Sequence, residues 1–362
     1  MRTTPLAALL RRFRSKPGVV PALVLLALLY LAMAAAPFVA PCDPLRALPG
    51  ESHEPPNVGL VDDAGRVHAR PIVVAQRATR DASGRRAFAA DPVGDRPLAW
   101  FVRGDPYDVG LPFARVRADL HLFGAAASNP FPHLLGTDQR GRDLFSRVLH
   151  GARVSLTIGI VGVLISFAIG LLVGGFSGWV GGRVDNTLMR LCEVLMLLPG
   201  FYVLLALRGT LPDTSRWSST QIYAAVVAIV SALWWAGLAR AVRGQVLAVK
   251  QREFVHAARA LGATTIRIVV RHLLPETLSF AIVSATLAIP GYILMESALS
   301  MLGIGIQEPD PSWGNLLAEA TRVSQIADHP WVLAPGVFLC ATVAAFQRVG
   351  DGLRDALDPR DA

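Results

Sequence analysis

The chain has 362 residues, 52% of them hydrophobic and only 17% charged, with a mean hydropathy of +0.44. Soluble domains carry about 25% charged residues, so this composition excludes an ordinary globular protein and points to a polytopic membrane protein. Net charge is +8, and Lys16 and Lys250 are the only lysines; in so apolar a chain an arginine excess reads first as membrane orientation, ahead of nucleic-acid binding.

A hydrocarbon core about 30 Å thick needs roughly 20 helical residues. Six runs meet that need, at 18–40, 155–180, 187–207, 222–240, 278–300 and 331–347. The first begins GVVPALVLLALLYLAMAAAPFVA and follows a tail with Arg2, Arg11, Arg12, Arg14 and Lys16 and no acid. It reads as an uncleaved anchor; APFVAPC mimics a small-residue cleavage site, so a signal peptide is the alternative. Residues 41–132 differ, being rich in Pro, Gly, Asp and Arg, with short strand-like runs such as RPIVVAQ and RPLAWFV. They read as a small extracytoplasmic domain or a long ordered loop. Run two is dense in glycine, GIVGVLISFAIGLLVGGFSGWVGG, which lets helix backbones approach closely. Runs three and five hold Pro199 and Pro290, which permit kinks, and contain or abut Glu193 and Glu296.

Short loops fix orientation through their Lys and Arg. With the N-terminus inside, segments 1–16, 180–190, 240–277 and 347–362 hold 17 such residues, against Arg208, Arg216 and Arg322 in the short outside loops. Both termini are therefore expected in the cytoplasm. The layout is a cytoplasmic basic tail (1–16), a first transmembrane helix (17–40), and an extracytoplasmic insertion with the segment before helix two (41–153). A five-helix core (154–347) with a cytoplasmic loop at 240–277 follows, then a cytoplasmic tail (348–362). The expected fold class is an all-α polytopic membrane protein with six transmembrane helices and a long insertion between the first two. Cys42, Cys192 and Cys340 form no CxxC pair and read as small buried hydrophobes.

Within the 240–277 loop, REFVHAARAL places Phe254, Ala257, Ala258 and Leu261 at i, i+3, i+4 and i+7, one helical face. Arg252, Glu253, His256 and Arg259 flank it, and Gly262 ends the turn. TTIRIVVRHLL follows, and Pro275 is expected to stop it. On the residues alone two readings stand: an amphipathic hairpin on anionic lipid, or a knob that docks in a groove on a soluble partner.

The stretch HAARALGATTIRIVVRHLLP resembles the cytoplasmic signature of binding-protein-dependent ABC importer permeases. That pattern is Glu-Ala-Ala, three residues, Gly, nine residues, Ile, one residue, Leu-Pro. It is matched at Ala257, Ala258, Gly262, Leu274 and Pro275. His256 replaces the Glu, with Glu253 as a candidate substitute, and His272 replaces the Ile, a form usual in the peptide branch. HLLGTDQRGRDLFSRVLHGARVSL (133–156), ESALSMLGIGIQEPDPSWGNLL (296–317) and GDGLRDALDPR (350–360) also resemble the dipeptide/oligopeptide/nickel permease group. The likeness runs from about residue 130 to the end and is weaker in 41–132.

The resemblance implies a bacterial inner-membrane subunit that pairs with a second, homologous permease. Two cytoplasmic ABC ATPases would drive the pair, and an extracytoplasmic solute-binding protein would deliver a solute, with di- or oligopeptides the first expectation. Glu253, His256, Ala257, Ala258, Arg259, Leu261, Gly262, Leu274 and Pro275 would form the ATPase-coupling segment. Glu193, Pro199, Pro290 and Glu296 are candidates for the translocation path or gate; pairing with Arg190 or water is the other reading of the two acids.

No chemistry of the chain's own is expected. A Walker A loop needs a glycine-rich run before its lysine, and neither lysine has one; ATP and Mg would be bound by the partner subunits, and no cofactor, metal or nucleic acid by this chain. HExxH and GxSxG motifs are absent. His133, Asp138 and Asp143 are the best metal-like set, but a capped helix whose acids pair with nearby arginines accounts for them. The rival class is a membrane-anchored enzyme or scaffold built on 41–132.

Overall fold

The structure, a computed structural model, describes residues 11–357 other than 63–64, 81–83, 85, 92–93, 112–113, 125–129, 201, 204–205 and 207–216. The chain divides into two compact units. One gathers Met1–Ala27, Leu156–Glu296 and Cys340–Ala362; the other gathers Leu28–Ser155 and Ser297–Leu339.

The principal helices are α1 (Val19–Ala34), α2 (Leu144–Val180), α3 (Gly182–Leu197), α4 (Ser219–Lys250), α5 (Glu253–Ala260), α6 (Leu274–Met301), α7 (Trp313–Leu317) and α8 (Ala334–Leu357). Among the described residues, four helical stretches are long and apolar enough to cross a membrane: Leu144–Val180, Thr220–Lys250, Thr277–Met301 and Pro330–Leu357. A shorter apolar helix covers Val19–Ala34.

Helix boundaries differ from the apolar runs for local reasons. Helix α2 starts at Leu144, well before residue 155. Its first turns, LFSRVLHGARVSL, are amphipathic, so hydropathy alone misses them. Asp143 opens the helix by accepting the Ser146 N–H at 2.7 Å. A capping box opens α4: Gln221 N–H donates to Ser218 Oγ and Ser218 N–H to Gln221 Oε1. Helix α3 carries Arg183, Asp185, Arg190 and Glu193 and ends at Leu197. Leu198 is extended, as the residue before a proline prefers, so Pro199 terminates this helix rather than kinking it. The remainder of the expected run, to 207, includes positions outside the described residues. Pro290 does sit inside a helix, α6, and is buried.

In the first unit, α2 and α4 cross closely because α2 carries glycines. A Cβ on Gly174 would overlap the Ala239 carbonyl. At the end of this pair, Asp185 accepts from Ser177 Oγ at 2.6 Å and from Arg243 Nε at 3.0 Å. The chain ends also meet here: Lys16 Nζ lies 3.5 Å from Asp355 Oδ2, and Arg348 donates to the Pro17 carbonyl.

In the second unit the insertion is β structure, which the strand-like runs anticipate. Strands β1 (Val58–Val61), β2 (Val67–Val73) and β5 (Arg96–Pro97) form an antiparallel sheet ordered β1-β2-β5, with Val58 opposite Val73. Strands β3 (Gln76–Arg80) and β4 (Arg86–Ala90) pair by themselves, as do β6 (Ala99–Leu111) and β7 (Ala114–Gly124). The β6–β7 ribbon is tied to the chain after α1: His121 Nδ1 meets the Ala40 carbonyl at 2.5 Å, and Arg46 pairs with Asp105 at 3.0 Å. Trp313, fully buried, donates its indole N–H to the Val148 carbonyl at 3.0 Å and holds α7 against the start of α2. Cys42 and Cys192 are buried as expected of small hydrophobes, whereas Cys340 is exposed, on the part of α8 not covered by this chain.

Candidate functional site

The stretch after α4 folds as a short helix held by one residue. Val255, on α5, is fully buried in a cluster with Trp179 of α2, Val242, Val246 and Val249 of α4, and Ile268. Ala258 and Ala263 pack at its edge. Lys250, the last residue of α4, donates to the Trp179 carbonyl, and its Nζ sits 5.3 Å from the centre of the Trp179 ring. Gly262 follows α5 with φ +75°, the left-handed conformation that glycine adopts most cheaply. Ala263 N–H then donates to the Ala258 carbonyl at 3.1 Å, the six-to-one bond of a Schellman stop.

This arrangement corrects the face expected from spacing. The packing face is Val255 and Ala258, about 100° around the helix from the stripe that starts at Phe254. Phe254 and Ala257 are exposed, and Leu261 is 88% exposed. Apolar side chains therefore line the outward surface, with the exposed Glu253 and His256 beside them. Val255 was unmarked by the spacing argument; its signal is that a valine three residues before Ala258 follows the Val242, Val246, Val249 series of α4.

Beyond the turn, Thr265–Ile268 is helical and Val269–Leu273 form a π-helical turn that runs straight into α6. Pro275 therefore does not stop the helical path, as its sequence suggests. Its missing N–H falls where the bonding pattern switches. The side chains of Arg259, His272, Leu274 and Pro275 lie outside the described ones.

The four path candidates separate. Glu193 pairs with the exposed Arg190 at 2.9 Å, one helical turn away. Pro199 is exposed beyond the end of α3. Pro290 and Glu296 are both on α6, and Glu296 is fully buried. A mostly apolar pocket of about 200 Å³ lies between α2, α4 and α6. Ser166, Trp234 and Tyr292 line it, with the Ser166 and Tyr292 hydroxyls hydrogen-bonded to each other.

A dense polar knot occupies the second unit. Asp138 accepts from Arg142 Nε at 2.7 Å, and Glu308 accepts from Arg142 Nη2 at 2.9 Å and Arg147 Nη2 at 2.8 Å. Arg147 is fully buried. Burial raises the Glu308 carboxyl's pKa, but the hydrogen bond from Arg142 and the charges of Arg147, Arg142 and Arg140 outweigh it and hold the pKa below the usual range. His133, also fully buried, places Nδ1 at 3.0 Å from Asp143 and Nε2 at 3.0 Å from Glu51. Burial disfavours its imidazolium, yet those two hydrogen bonds and the nearby carboxylates prevail and raise its pKa to about 9. Burial pushes the Glu54 carboxyl up to about 7. Thus His133 and Asp143 of the sequence-level set do meet, while Asp138 pairs with arginine. Glu51, Glu54 and Glu308 carried no local signal.

Residues 168–360 match the family described as "Binding-protein-dependent transport system inner membrane component". The chain belongs to that family of transport permeases. Residues 4–56 match "N-terminal TM domain of oligopeptide transport permease C". The permease is 42% identical over 252 residues to the oligopeptide transport system permease protein OppC of Haemophilus influenzae, covering 69% of this chain and 78% of that one. OppC of Escherichia coli K12 is 41% identical, covering 69% and 80%. The dipeptide transport system permease protein DppC of Bacillus subtilis is 42% identical over 230 residues, covering 63% and 69%. The permease is thus a multi-pass membrane subunit of an ABC importer, a system that also contains ATPase and solute-binding components. The enzyme or scaffold alternative is not favoured.

Proposed function

We propose that this permease carries di- or oligopeptides, forming the pathway with a second, homologous permease. Two ABC ATPases on the cytoplasmic side drive the pair, and an extracytoplasmic binding protein delivers the peptide. ATP and Mg are bound by the ATPases, and this chain performs no bond chemistry. The peptide reading is supported by the names of the relatives, OppC and DppC. Inward termini are supported by the arginine distribution and by the pairing of Lys16 with Asp355, which puts both ends on one side.

The observation that carries the coupling role is the outward apolar stripe Phe254, Ala257 and Leu261 on a helix anchored by Val255. A soluble ATPase groove that accepts this stripe exchanges force with α4 through one buried cluster. Only contacts that differ between ATP states can shift the permease between conformations. Glu253 and His256 orient the contact, Ala258 and Gly262 shape the stop, and Arg259, Leu274 and Pro275 complete the segment. Pro290 and Glu296 of α6 belong to the path or its gate; Glu193 and Pro199 are retained as path candidates of lower standing, since Glu193 is paired with Arg190.

The test is co-purification in mild detergent with the partner ATPases, using wild type and Leu261→Glu. Leu261 is 88% exposed, so the variant should fold and insert normally yet lose the ATPases and ATP-driven peptide uptake. Retention of ATPases at wild-type levels would refute the docking role.

A further inference from the structure

We propose that Glu51, Glu54 and His133 form a binding site for a divalent transition-metal ion of the zinc class, stapling the loop at 51–57 to the segment at 131–143. One donor atom from each of the three residues falls within 4.8 Å of the others. Tetrahedral ligands at about 2.0 Å from zinc stand roughly 3.3 Å apart, so small side-chain shifts bring these donors to bonding distance. Already His133 Nε2 and Glu51 Oε2 are 3.0 Å apart.

This is not the set that sequence spacing offers. Asp138 is committed to Arg142, and Asp143 turns away from the site to the far nitrogen of the ring. That second role is informative. A ligating histidine characteristically donates its other N–H to a carboxylate, which fixes the ring and its tautomer. Here Asp143 holds Nδ1, leaving Nε2 directed at Glu51, with Glu54 close by. Asp143 is itself held by the N–H and hydroxyl of Ser146 at 2.7 Å.

Glu54 is supported in the same way. Asn57 Nδ2 donates to Glu54 Oε1 at 3.1 Å, and the Asn57 side chain also accepts from His133 N–H at 2.7 Å. Main-chain bonds lace the two segments together: Asn57 N–H to the His133 carbonyl at 3.0 Å, and Thr137 N–H to the Glu54 carbonyl at 2.9 Å. His133 is fully buried and Glu54 nearly so, while Glu51 sits at the edge, giving an entry route. One imidazole with two carboxylates suits zinc, cobalt or nickel better than calcium or magnesium, which prefer all-oxygen shells. Three protein donors leave one position for water.

The experiment uses the whole transporter complex, stripped with chelator, reloaded with zinc chloride, desalted and assayed for metal by mass spectrometry. Wild type should retain one more zinc per permease than the Glu51→Gln/Glu54→Gln double variant, which keeps side-chain size and hydrogen-bonding ability. Asp143→Asn should retain the helix cap but weaken zinc 10- to 100-fold in competition with a chromophoric chelator. Equal zinc in wild type and the double variant would overturn the site and leave an internal ion pair only. Should the double variant fail to assemble, X-ray absorption at the zinc edge of wild type decides. An imidazole with oxygen neighbours is expected, and a shell without imidazole rules the site out.

Discussion

The segment around α5 and the polar knot of the second unit are both rich in charge, yet they are built on opposite plans. The first is local. One helix of eight residues ends on a glycine stop and is anchored by a buried valine, and its distinctive side chains point outward. The knot is assembled from segments far apart in the chain, such as Arg142 and Glu308, 166 positions apart, and its charges point inward at each other. A surface made locally can be altered without unfolding anything; a network made from distant segments cannot. Variants should therefore divide into those that change abundance and those that change partnership.

The sharpest attempt to break that division is Glu308→Ala. It strands Arg147 and Arg142 in buried positions, leaving Asp138 as their acid. Loss of one partner of a fully buried ion pair costs about 3–5 kcal/mol. Glu308 is about one-third exposed, so roughly 2–4 kcal/mol is expected. It should appear as a lower thermal midpoint of the detergent-purified complex; an unchanged midpoint would show the knot to be ornamental. Acid should reproduce the effect in wild type. The folded carboxyl of Glu308 titrates below its ordinary value of 4.5, so its stabilisation is complete above that pH and disappears as pH falls through the depressed value. Midpoints followed from pH 6 to pH 3 should show an acid loss that is blunted in Glu308→Ala.

Val255→Ala tests the hinge between the two categories. Full burial of a valine is worth about 1.5–3 kcal/mol relative to exposure, and the truncation removes part of it, about 1 kcal/mol. Stability should fall slightly, while uptake falls much more because the stripe loses its anchor; equal losses would argue against a transmitting role. Gly262→Ala comes next, at about 1 kcal/mol, since its left-handed φ is strained for any Cβ although the surrounding space is open. Leu261→Glu is the smallest in stability, within about 0.5 kcal/mol for an exposed position, and the largest in partnership. A thermal midpoint lowered by several degrees in that variant would collapse the division.

Legibility in the sequence follows the same line. Hydropathy and helix spacing located α2, α4, α6 and α8, because each signal lies within twenty residues of itself. They located α5 and Gly262 for the same reason. They misjudged the packing face of α5, because spacing shows that a stripe exists but not where its neighbours are. Val242, Val246 and Val249 decide that Val255 goes in and Phe254 stays out. They also missed how Pro275 is accommodated, since the π turn before it depends on hydrogen bonding rather than residue type. In the knot, GTDQRGRD announced arginine–carboxylate pairing and a capped helix. It could not announce Glu51, Glu54 or Glu308, whose neighbours in the chain are loops and turns. Distance in sequence, rather than complexity of chemistry, set what could be read.

The meeting of the chain ends carries a consequence for biosynthesis. Lys16 finds Asp355, Arg348 finds the Pro17 carbonyl, and a Cβ on Gly352 would press into Val19. Helix α1 thus cannot make these contacts until α8 has been synthesised, although Arg153 of α2 already reaches its Met33 carbonyl. During most of translation its polar tail and small-residue contacts are open to other proteins of the membrane, insertion factors included. A ribosome stalled before α8 has emerged would hold a nascent permease whose α1 can still be crosslinked to such factors near Val19, and emergence of α8 would end that exposure.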